Sequence, residues 1–519
     1  MDNSQKTTIG KDVIESLTLG MYEDSRFIYR EYVQNAADQI DKAVRLGLLS
    51  SEVPGEIWIQ IDRHNRTVTI EDNATGIEAS KVAEILRNIA KSTKERGIDK
   101  GFRGIGRLGG LGYCDTLIFE TSYIGENVKS KMIWDAKELK NIINNRRGKE
   151  EATAVIDAVT TLSTEKELPE RGYFKVTLKN VSNEILLDKH IIGDYLRMVA
   201  PVPFHPRFIY GAKIYDELRA ENISIDEYKI YLNTDQVFKA HTTTIYEGDE
   251  KNKKRVDEIT DIQFFQFKTQ ASELLLWGWY SISDFTKQIP EKGNLARGIR
   301  LRSGNIQIGS EQCLVKLHKE QRGNFYFFGE IHTFHPNLIP NARRDYFLEN
   351  ETAKLFESEL RRFFAEELHK LYYFASNVRS EYKRITQLFN FKEEYEKKTQ
   401  QGFTNNEELR SYDEKFEKLK EGAEQAQKKL ERVAIELKGD ETPKRKIFER
   451  LARKLPKQIE KVELPVNGNS HKPKFLTDDL TKLSRNDRKF LSRVFAVIDK
   501  VLTKETADNL KLKIKEEFE

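Results

Sequence analysis

The sequence predicts an α+β protein in which mixed α/β domains are followed by a long helical region. Alternating apolar residues between Ile57 and Ile70 predict a β-hairpin near the N-terminus. Two stretches rich in aromatic and β-branched residues, 273–282 and 325–334, predict buried strands. A heptad pattern from Leu409 to Leu437 predicts a coiled coil or a long helical hairpin. We therefore expect four parts: an N-terminal α/β domain (1–185), a mixed α/β middle domain (186–375), a long helical segment (376–440) and a basic linker with a small helical tail (441–519).

The segment Arg30–Asp38 carries three polar side chains at helical spacing. Glu31, Asn35 and Asp38 lie at positions that project from one face of a helix. Two carboxylates and an amide aligned in this way can hold a hydrated Mg²⁺ and activate a water molecule beside it. A solvated helix face is the alternative, and the order of the next two motifs favours the first interpretation.

A turn carrying Asp72 and Gly76 follows the predicted hairpin. Asp72 ends the second strand, and Gly76 allows the backbone to approach a ligand closely. A carboxylate held there can accept a hydrogen bond from an exocyclic amine such as that of adenine. An ordinary Asp-Asn turn is the alternative interpretation.

Seven of the chain's 29 glycines lie between Gly97 and Gly112. Basic residues lie among them: Lys100, Arg103 and Arg107. Free backbone N–H groups in such a segment, with the N-terminus of a following helix, can cradle phosphate oxygens. The segment also contains the glycine spacing of the dinucleotide fingerprint, but the polar residues before it do not form the strand that this fingerprint requires. The segment therefore predicts a phosphate-binding lid, with a plain flexible loop as the alternative.

The order of these three motifs resembles that of the GHKL ATPases, which include gyrase B, histidine kinases, MutL and the ninety-kilodalton heat-shock chaperones. The resemblance is closest to the chaperones of the HtpG type, because Met21–Glu31 is similar to their first helices and Asn88–Ser92 resembles the segment before their lid. The MORC ATPases share this module and are the other near relatives. The resemblance implies that residues 1–185 form a GHKL (Bergerat) α/β sandwich that binds ATP.

The resemblance also implies roles for individual residues. Glu31 would orient or deprotonate the attacking water, Asn35 would be a ligand of Mg²⁺, and Asp72 would bind the adenine amine. The rest of the nucleotide would be lined by Asp38, Gly76, Lys91, Gly104, Ile105, Gly106, Gly109 and Gly110. Two positions depart from the family pattern: Ala74 stands where a glycine is usual, and no threonine follows Gly172 directly.

Asn337–Phe347 resembles the catalytic loop in the middle domain of the same chaperones. In that loop an arginine reaches the terminal phosphate, and the residue in register is Arg344, with Arg343 as the alternative. Guanidinium suits this role because it is permanently charged and presents a planar fork to phosphate oxygens. Leu348 stands where the family has a glutamine. A surface ion pair within Arg-Arg-Asp is the competing interpretation.

Three further segments have functions that the sequence leaves open. Residues 296–309 predict a strand–turn–strand unit whose arginines form a solvated strand face or contact an anion or client: Arg297, Arg300 and Arg302. The heptad seam packs either on the preceding helix or on a second copy of the chain, and we expect a homodimer. Lys444–Lys461 carries eight Lys or Arg residues against two Glu, and it is the best candidate for binding DNA.

Composition describes a charge-rich protein with no strong preference for polyanions. The 87 Lys and Arg residues exceed the 83 Asp and Glu residues by only four, which does not by itself indicate nucleic acid. Cys114 and Cys313 cannot form a disulfide framework. His332 and His335, the only close histidine pair, have no third ligand nearby in sequence and are interpreted as structural. The polar N-terminus and the lack of a long apolar run predict a cytoplasmic protein without a membrane span.

Together these features predict an ATP-driven conformational clamp with Mg²⁺ as cofactor. ATP would bind the N-terminal domain, the glycine-rich lid would close, and Arg344 would complete the site around a protein client or partner subunit. The alternative is a MORC-like ATPase that clamps DNA in chromosome handling or bacterial defence. A second alternative is a nucleotide-gated binding module that does not hydrolyse ATP. We expect slow turnover, because hydrolysis would wait on a domain closure.

Overall fold

A computed structural model describes residues 9–18, 24–50, 54–89, 106–145, 148–439, 441–453 and 474–518, and the chain divides into two compact units, Met1–His369 and Lys370–Glu519. The helices are α1 (Asp12–Thr18), α2 (Phe27–Arg45), α3 (Val82–Arg87), α4 (Ala136–Asn144), α5 (Ala152–Val159), α6 (Lys189–Val199), α7 (Gly211–Ala220), α8 (Glu351–Phe363), α9 (His369–Gln401), α10 (Asn406–Glu436), α11 (Pro443–Arg453), α12 (Arg485–Val501) and α13 (Lys504–Phe518). The strands are β1 (Glu56–Asp62), β2 (Thr67–Asp72), β3 (Thr116–Ser122), β4 (Val128–Asp135), β5 (Thr160–Lys166), β6 (Tyr173–Lys179), β7 (Lys229–Leu232), β8 (Asp235–Gln236), β9 (Thr244–Glu247), β10 (Lys254–Glu258), β11 (Asp261–Lys268), β12 (Leu274–Ile282), β13 (Gly298–Ser303), β14 (Ile306–Ile308) and β15 (Phe328–Thr333).

A large sheet organises the first part of unit Met1–His369. In the described residues it has eight strands in the order β5-β4-β3-β6-β2-β1-β7-β8. β1 and β2 form the predicted hairpin, with Ile59 opposite Ile70, and Asp72 is the last residue of β2. β7 runs parallel to β1, with Ile230 opposite Ile57. The sheet therefore continues into residues 229–236, beyond the position at which the sequence predicts the first domain to end.

Helix α2 packs against this sheet, and its C-terminal end is closed by a glycine. Gly47 adopts a positive φ of 71° after the last helical turn. Its N–H donates to the Val44 carbonyl at 3.0 Å, and the N–H of Leu48 donates to the Ala43 carbonyl at 2.9 Å. This pair of hydrogen bonds is a Schellman motif, which satisfies carbonyls that the helix itself leaves unpaired.

The second half of the unit is built on a sheet whose described strands follow the order β11-β12-β15-β13-β14. β13 runs parallel to β15, and the other neighbouring pairs are antiparallel. The expectation that the arginines of β13 form a solvated face is wrong. Arg300 is 5% exposed and Arg302 is fully buried, because both side chains turn inward onto carbonyl and carboxylate oxygens.

A buried group of charges lies at the centre of this second sheet. The carboxylate of Glu330 on β15 accepts hydrogen bonds from Lys239 Nζ and Arg302 Nε, each at 2.6 Å. Arg302 also donates to the carbonyl of Met198 at 2.7 Å, and Lys239 donates to Asn305 Oδ1 at 3.0 Å. Burial alone would raise the pKa of Glu330, but Arg302 and Lys239 hold it well below its ordinary value. The pairs therefore join the end of α6, the segment after β8 and the second sheet.

Unit Lys370–Glu519 is helical. The contacts between α9 and α10 define an antiparallel hairpin: Phe391 stacks on Tyr412 with ring centroids 5.4 Å apart, and Glu381 pairs with Lys429 at 3.1 Å. The heptad seam is therefore occupied by the chain's own preceding helix, which is one of the two arrangements that the sequence allows. The buried seam residues of α10 are Phe416, Ala423, Ala426 and Leu430. A smaller core joins α12 to the residues before it, through Leu480, Leu491 and Phe495.

Within the described residues, no helix is both long enough and apolar enough to cross a membrane.

The buried charge group gives a stability prediction. We expect Glu330→Gln to lower the free energy of unfolding by roughly 3–5 kcal/mol, because the amide leaves two buried cations without their counter-charge. Urea unfolding followed by circular dichroism measures this change. Asp216→Asn is the matched control, since Asp216 pairs with Arg219 on the exposed surface of α7. The control should change stability by no more than about 1 kcal/mol. Equal effects of the two substitutions would contradict the importance of the buried group.

Candidate active site

The candidate site begins with the polar and charged side chains that α2 buries. Glu31 is 8% exposed, Gln34 is 1% exposed and Asp38 is 3% exposed. Asn35 lies on the same helix and is half-buried. Carboxylates are rarely buried in this way unless they are paired or functional. The solvated helix face that the sequence left open is therefore wrong for Glu31 and Asp38.

Glu31 lies between two guanidinium groups that come from different parts of the chain. Arg344 Nε is 4.0 Å from Glu31 Oε1, and Arg30 Nη2 is 3.6 Å from the same oxygen. Glu31 Oε1 has no hydrogen-bond partner among the described residues. The structure thus brings the predicted water-activating carboxylate and the predicted phosphate-binding arginine together across more than 300 residues of sequence.

Arg343 and Arg344 differ in their surroundings. Arg344 is 8% exposed, whereas Arg343 is exposed. The backbone carbonyl of Arg343 accepts a hydrogen bond from Arg30 Nη2 at 3.3 Å. Of the two candidates, Arg344 is the residue whose guanidinium faces Glu31.

The loop holds Arg344 in a conformation that few residues adopt. Arg344 has a φ of 55°, in the left-handed region that is unfavourable for residues with a β-carbon. The Arg344 carbonyl accepts a hydrogen bond from the Gly309 N–H at 2.8 Å, and its N–H donates to the Asn341 carbonyl at 3.2 Å. Hydrogen bonds on both sides of the residue maintain this backbone, as expected where strain accompanies function.

Asp72, the predicted adenine-binding residue, is the last residue of β2. It is 2% exposed, and its Oδ1 accepts a hydrogen bond from the Ala74 N–H at 3.1 Å. Phe174 of β6 lies directly opposite Asp72 in the sheet. Burial raises the pKa of Asp72 to about 8. A buried carboxyl with few partners is suited to accept a hydrogen bond from a ligand amine.

The turn after Asp72 is held by Gly76, which the sequence singled out, and by the hydroxyl of Thr121, which it did not. Thr121 Oγ1 accepts a hydrogen bond from the Ile77 N–H and donates to the Tyr173 carbonyl, each at 2.9 Å. Gly76 has a φ of +69°, and a β-carbon there would lie 1.9 Å from the Ser122 carbonyl oxygen. Gly76 is therefore required where the turn touches β3. The hydroxyl of Thr121 supports this turn, while the position opposite Asp72 carries the phenyl ring of Phe174.

The described end of the glycine-rich segment lies on α2. Residues Gly106–Gly112 form a 3₁₀ turn. A β-carbon at Gly106 would lie 2.3 Å from Glu31 Oε2, and one at Gly109 would lie 2.7 Å from the ring of Phe27. The Gly110 N–H donates to the Tyr32 hydroxyl at 3.2 Å. These glycines therefore permit close packing on α2, and the N–H of Gly110 is engaged by Tyr32 instead of being open to a phosphate.

Several predicted positions lie outside the described residues. They are Lys91, Gly104, Ile105 and the rest of the lid before Gly106, the segment Met21–Glu23, and residues 454–461 of the basic stretch.

Sequence reasoning missed Arg30, although it directly precedes Glu31. An arginine on an amphipathic helix usually extends to solvent, and this pattern gives no sign of burial. Only the position of the 337–347 loop shows that Arg30 contacts both Glu31 and the backbone of Arg343.

The class of this domain follows from its fold, its site and a family match. The family model for the histidine kinase-, DNA gyrase B-, and HSP90-like ATPases matches residues 28–165. This range contains the buried face of α2, the turn after Asp72 and the glycine-rich segment. The N-terminal part of the chain is therefore a GHKL ATPase domain, which confirms the resemblance inferred from the motif order.

Bacterial chaperones are similar to a part of the chain. The chaperone protein HtpG of Coxiella burnetii (strain RSA 493 / Nine Mile phase I) is 28% identical over 163 residues, which are 27% of this chain and 26% of that protein. HtpG of Shewanella denitrificans is 30% identical over 175 residues, covering 28% of this chain and 27% of its own length. HtpG of Dechloromonas aromatica is 34% identical over 104 residues, covering 18% and 16%. The chain thus spans about a quarter or less of the length of these relatives.

The raised pKa of Asp72 gives a pH-dependent prediction. The pKa of Asp72 rises from 3.8 to about 8 in the folded, nucleotide-free protein. Between these values the folded state binds a proton that the unfolded chain releases, so the stability contributed by this group falls as pH rises. We expect the stability of the wild-type protein, relative to that of Asp72→Asn, to fall between about pH 5 and pH 8. Urea unfolding at several pH values measures this difference.

The control for this experiment is an exposed aspartate of the same sheet. Asp235 on β8 pairs with Lys189 at the surface. The difference in the free energy of unfolding between wild type and Asp235→Asn should not fall as the pH rises through this window. A wild-type curve parallel to that of Asp72→Asn would show that Asp72 is already ionised in the folded protein.

Proposed function

We propose that this protein is a slow, Mg²⁺-dependent ATPase whose nucleotide cycle drives a chaperone-like clamp. The single observation that carries the proposal is the contact between Glu31 and Arg344. A buried carboxylate on the GHKL helix faces a guanidinium from a loop more than 300 residues away, at 4.0 Å. Such a pair brings together the two groups that hydrolysis of a terminal phosphate needs, a general base for the water molecule and an anion-stabilising group for the phosphate.

Each residue of the site would have a distinct task. Glu31 would orient and deprotonate the attacking water, and Arg344 would contact the terminal phosphate as charge develops on it. Asp72 would accept the hydrogen bond of the adenine amine and so select the base. Asp38, Gly76, Gly106 and Gly109 would line the nucleotide, together with Lys91, Gly104 and Ile105, which lie outside the described residues. Gly110 is left out, because its N–H donates to the Tyr32 hydroxyl.

The donor groups on α2 fit a Mg²⁺ ion. Mg²⁺ prefers oxygen ligands and keeps several of its water molecules. The amide oxygen of Asn35 would be the protein ligand, and the carboxylates of Glu31 and Asp38 lie on the same helix for contact with its water molecules. The ion would neutralise part of the phosphate charge.

A clamp that acts on proteins is the form of this function that the observations favour. The relatives that the chain matches over about a quarter of their length are chaperone proteins. The loop 337–347 contacts α2 through Arg344 and the backbone of Arg343. A change of the bound nucleotide at α2 would therefore be transmitted through this loop to the second sheet. The DNA alternative depends on Lys444–Lys461, of which only Lys444–Arg453 is described, and there Arg445 is already paired with Glu449 at 2.7 Å. A homodimer remains a prediction of the sequence.

Steady-state ATP hydrolysis with Mg²⁺ tests the role of Glu31. We expect Glu31→Gln to lower kcat by about 10²–10⁴-fold while ATP still binds, because a general base contributes this much and the amide keeps the shape of the side chain. Glu170→Gln, an exposed carboxylate of the same domain, is the matched control and should retain full activity. Equal rates in wild type and Glu31→Gln would contradict the assignment. ATP binding without turnover in the wild type would favour the non-hydrolysing module.

A comparison of Arg344→Ala with Arg343→Ala tests the arginine assignment. Arg344→Ala should slow hydrolysis by about 10²-fold or more and leave ATP affinity nearly unchanged, since the guanidinium acts mainly on the transition state. Arg343→Ala should be close to wild type, because its side chain is exposed. The reverse pattern would assign the catalytic role to Arg343 instead of Arg344.

The client class is tested with the same variants. Wild-type protein with ATP should suppress aggregation of a chemically unfolded model protein. Glu31→Gln should suppress this aggregation less, because the variant does not complete the ATP hydrolysis cycle. Duplex DNA of arbitrary sequence, titrated at low and high salt, is the other arm. Salt-dependent DNA binding without any effect on the unfolded protein would favour the DNA-clamping alternative.

A further inference from the structure

Helix α12 of unit Lys370–Glu519 presents apolar side chains on two different faces. One face packs inward, where Leu491 and Phe495 are buried in the small core of the C-terminal helices. The other face is directed to solvent: Phe490 is 69% exposed, Val497 is 58% exposed and Val501 is 73% exposed. Because the inner face already holds the helix in place, the packing of this unit does not account for the outer residues.

The three outer residues form a row along one side of the helix. Their positions are separated by seven and four residues, which places them within an arc of about 40° around the helix axis. The row extends over about 16 Å along the helix. Val494, which is half-buried, lies beside the gap between Phe490 and Val497. We call this row the apolar ridge, and it differs from the single exposed apolar side chains that are normal on protein surfaces.

A row of positive charges runs beside the apolar ridge. Its members lie on one side of the ridge, about 60–140° around the helix axis, and all are exposed: Arg485, Lys489, Arg493 and Lys500. Within the described ranges of the chain, none of these four side chains has an ion-pair or hydrogen-bond partner. The packing of the unit therefore leaves their charge available to a partner.

The acidic groups of α12 do not neutralise this row, because they are engaged elsewhere. The carboxylate of Asp487 accepts a hydrogen bond from the Ser484 hydroxyl at 2.6 Å, at the N-terminal cap of the helix. The carboxylate of Asp499 accepts one from Lys511 Nζ at 2.6 Å and one from the Thr404 hydroxyl at 3.1 Å. The outer face of α12 thus combines exposed apolar side chains with unpaired positive charge.

This combination limits the chemistry of a partner. Nucleic acid presents phosphates to the basic row, but its charged backbone offers no apolar surface to cover the ridge. Two copies of α12 packed antiparallel across the ridge would bring their positive rows together, which is unfavourable. A membrane with anionic lipids offers both kinds of contact, since negative headgroups lie directly above apolar acyl chains.

We propose that the outer face of α12 binds the surface of membranes that contain anionic lipids. Phe490, Val497 and Val501 would enter the boundary between headgroups and acyl chains, and the basic row would contact the lipid phosphates. Protruding side chains suit this boundary, and the long stems of lysine and arginine allow their charges to reach the headgroups. The proposal concerns where the protein acts and does not depend on its proposed function as an ATPase.

Sedimentation of the nucleotide-free full chain with vesicles tests this surface. The vesicles contain phosphatidylcholine alone or a mixture of phosphatidylcholine and the anionic phosphatidylglycerol. We expect binding to the mixed vesicles only, and weaker binding at high salt. Lys489→Glu combined with Arg493→Glu should weaken binding by about tenfold or more, because it replaces attraction to the headgroups with repulsion. Phe490→Ser combined with Val501→Ser should weaken it by about tenfold as well.

The matched controls come from α10 in the same unit. Lys418→Glu combined with Arg432→Glu makes the same change of net charge at two exposed positions. Ile435→Ser removes an apolar side chain that is 71% exposed. Both controls should bind the mixed vesicles as the wild type does. Circular dichroism of each variant checks its folding, and the two α12 variants are independent of each other.

Three outcomes would overturn the proposal. The first is a lack of binding to the mixed vesicles, which would leave an acidic protein segment as the partner of this face. The second is binding that both α12 variants retain in full. The third comes from light scattering without vesicles: conversion of a dimer to a monomer by Phe490→Ser with Val501→Ser would make the ridge an interface between copies. None of these measurements needs ATP hydrolysis, so their failure is distinguishable from a failure of the ATPase assignment.

Discussion

The buried negative charge of Glu31 is the constraint on which the rest of the site depends. A carboxylate removed from water is unfavourable by several kcal/mol unless opposite charges or hydrogen bonds compensate for it. Here the compensation comes from Arg30 on the same helix and Arg344 from a distant loop. Neither guanidinium makes a short hydrogen bond to Glu31 Oε1. The carboxylate is thus stabilised by charge yet still has an oxygen with which to bind water, as its proposed role requires.

The second sheet holds the backbone of Arg344 in place. The carbonyl of Arg344 is held by the N–H of Gly309, which directly follows β14. β14 pairs with β13, and β13 is joined to β15 by the buried pair of Arg302 and Glu330. The buried charges of the second sheet therefore help to position Arg344 at the site on the first sheet. Movement of this sheet relative to α2 would separate the arginine from the carboxylate.

The parts of the fold that could be predicted from the sequence are those governed by local pattern. Alternation predicted the hairpin that ends at Asp72, and helical spacing predicted the face of Glu31. The addition of β7 and β8 to the first sheet could not be predicted, because β7 pairs with residues of β1 about 170 positions away and β8 joins the sheet only through β7. The buried arginines of β13 were also unpredictable. Alternating charges in a sequence are typical of a solvated strand face. The sequence does not show the carbonyls and the Glu330 carboxylate that accept hydrogen bonds from these arginines.

If Arg344 has its proposed role, its left-handed backbone places activity and folding stability in opposition. Glycine is the residue that this conformation suits, and a side chain there is unfavourable by roughly 1–2 kcal/mol. Only arginine, however, supplies the fixed charge that faces Glu31. Selection for stability alone would therefore replace this residue, and its retention would reveal selection for turnover. In a copy of the chain that has lost its enzymatic task, position 344 is among the first where substitution would be advantageous.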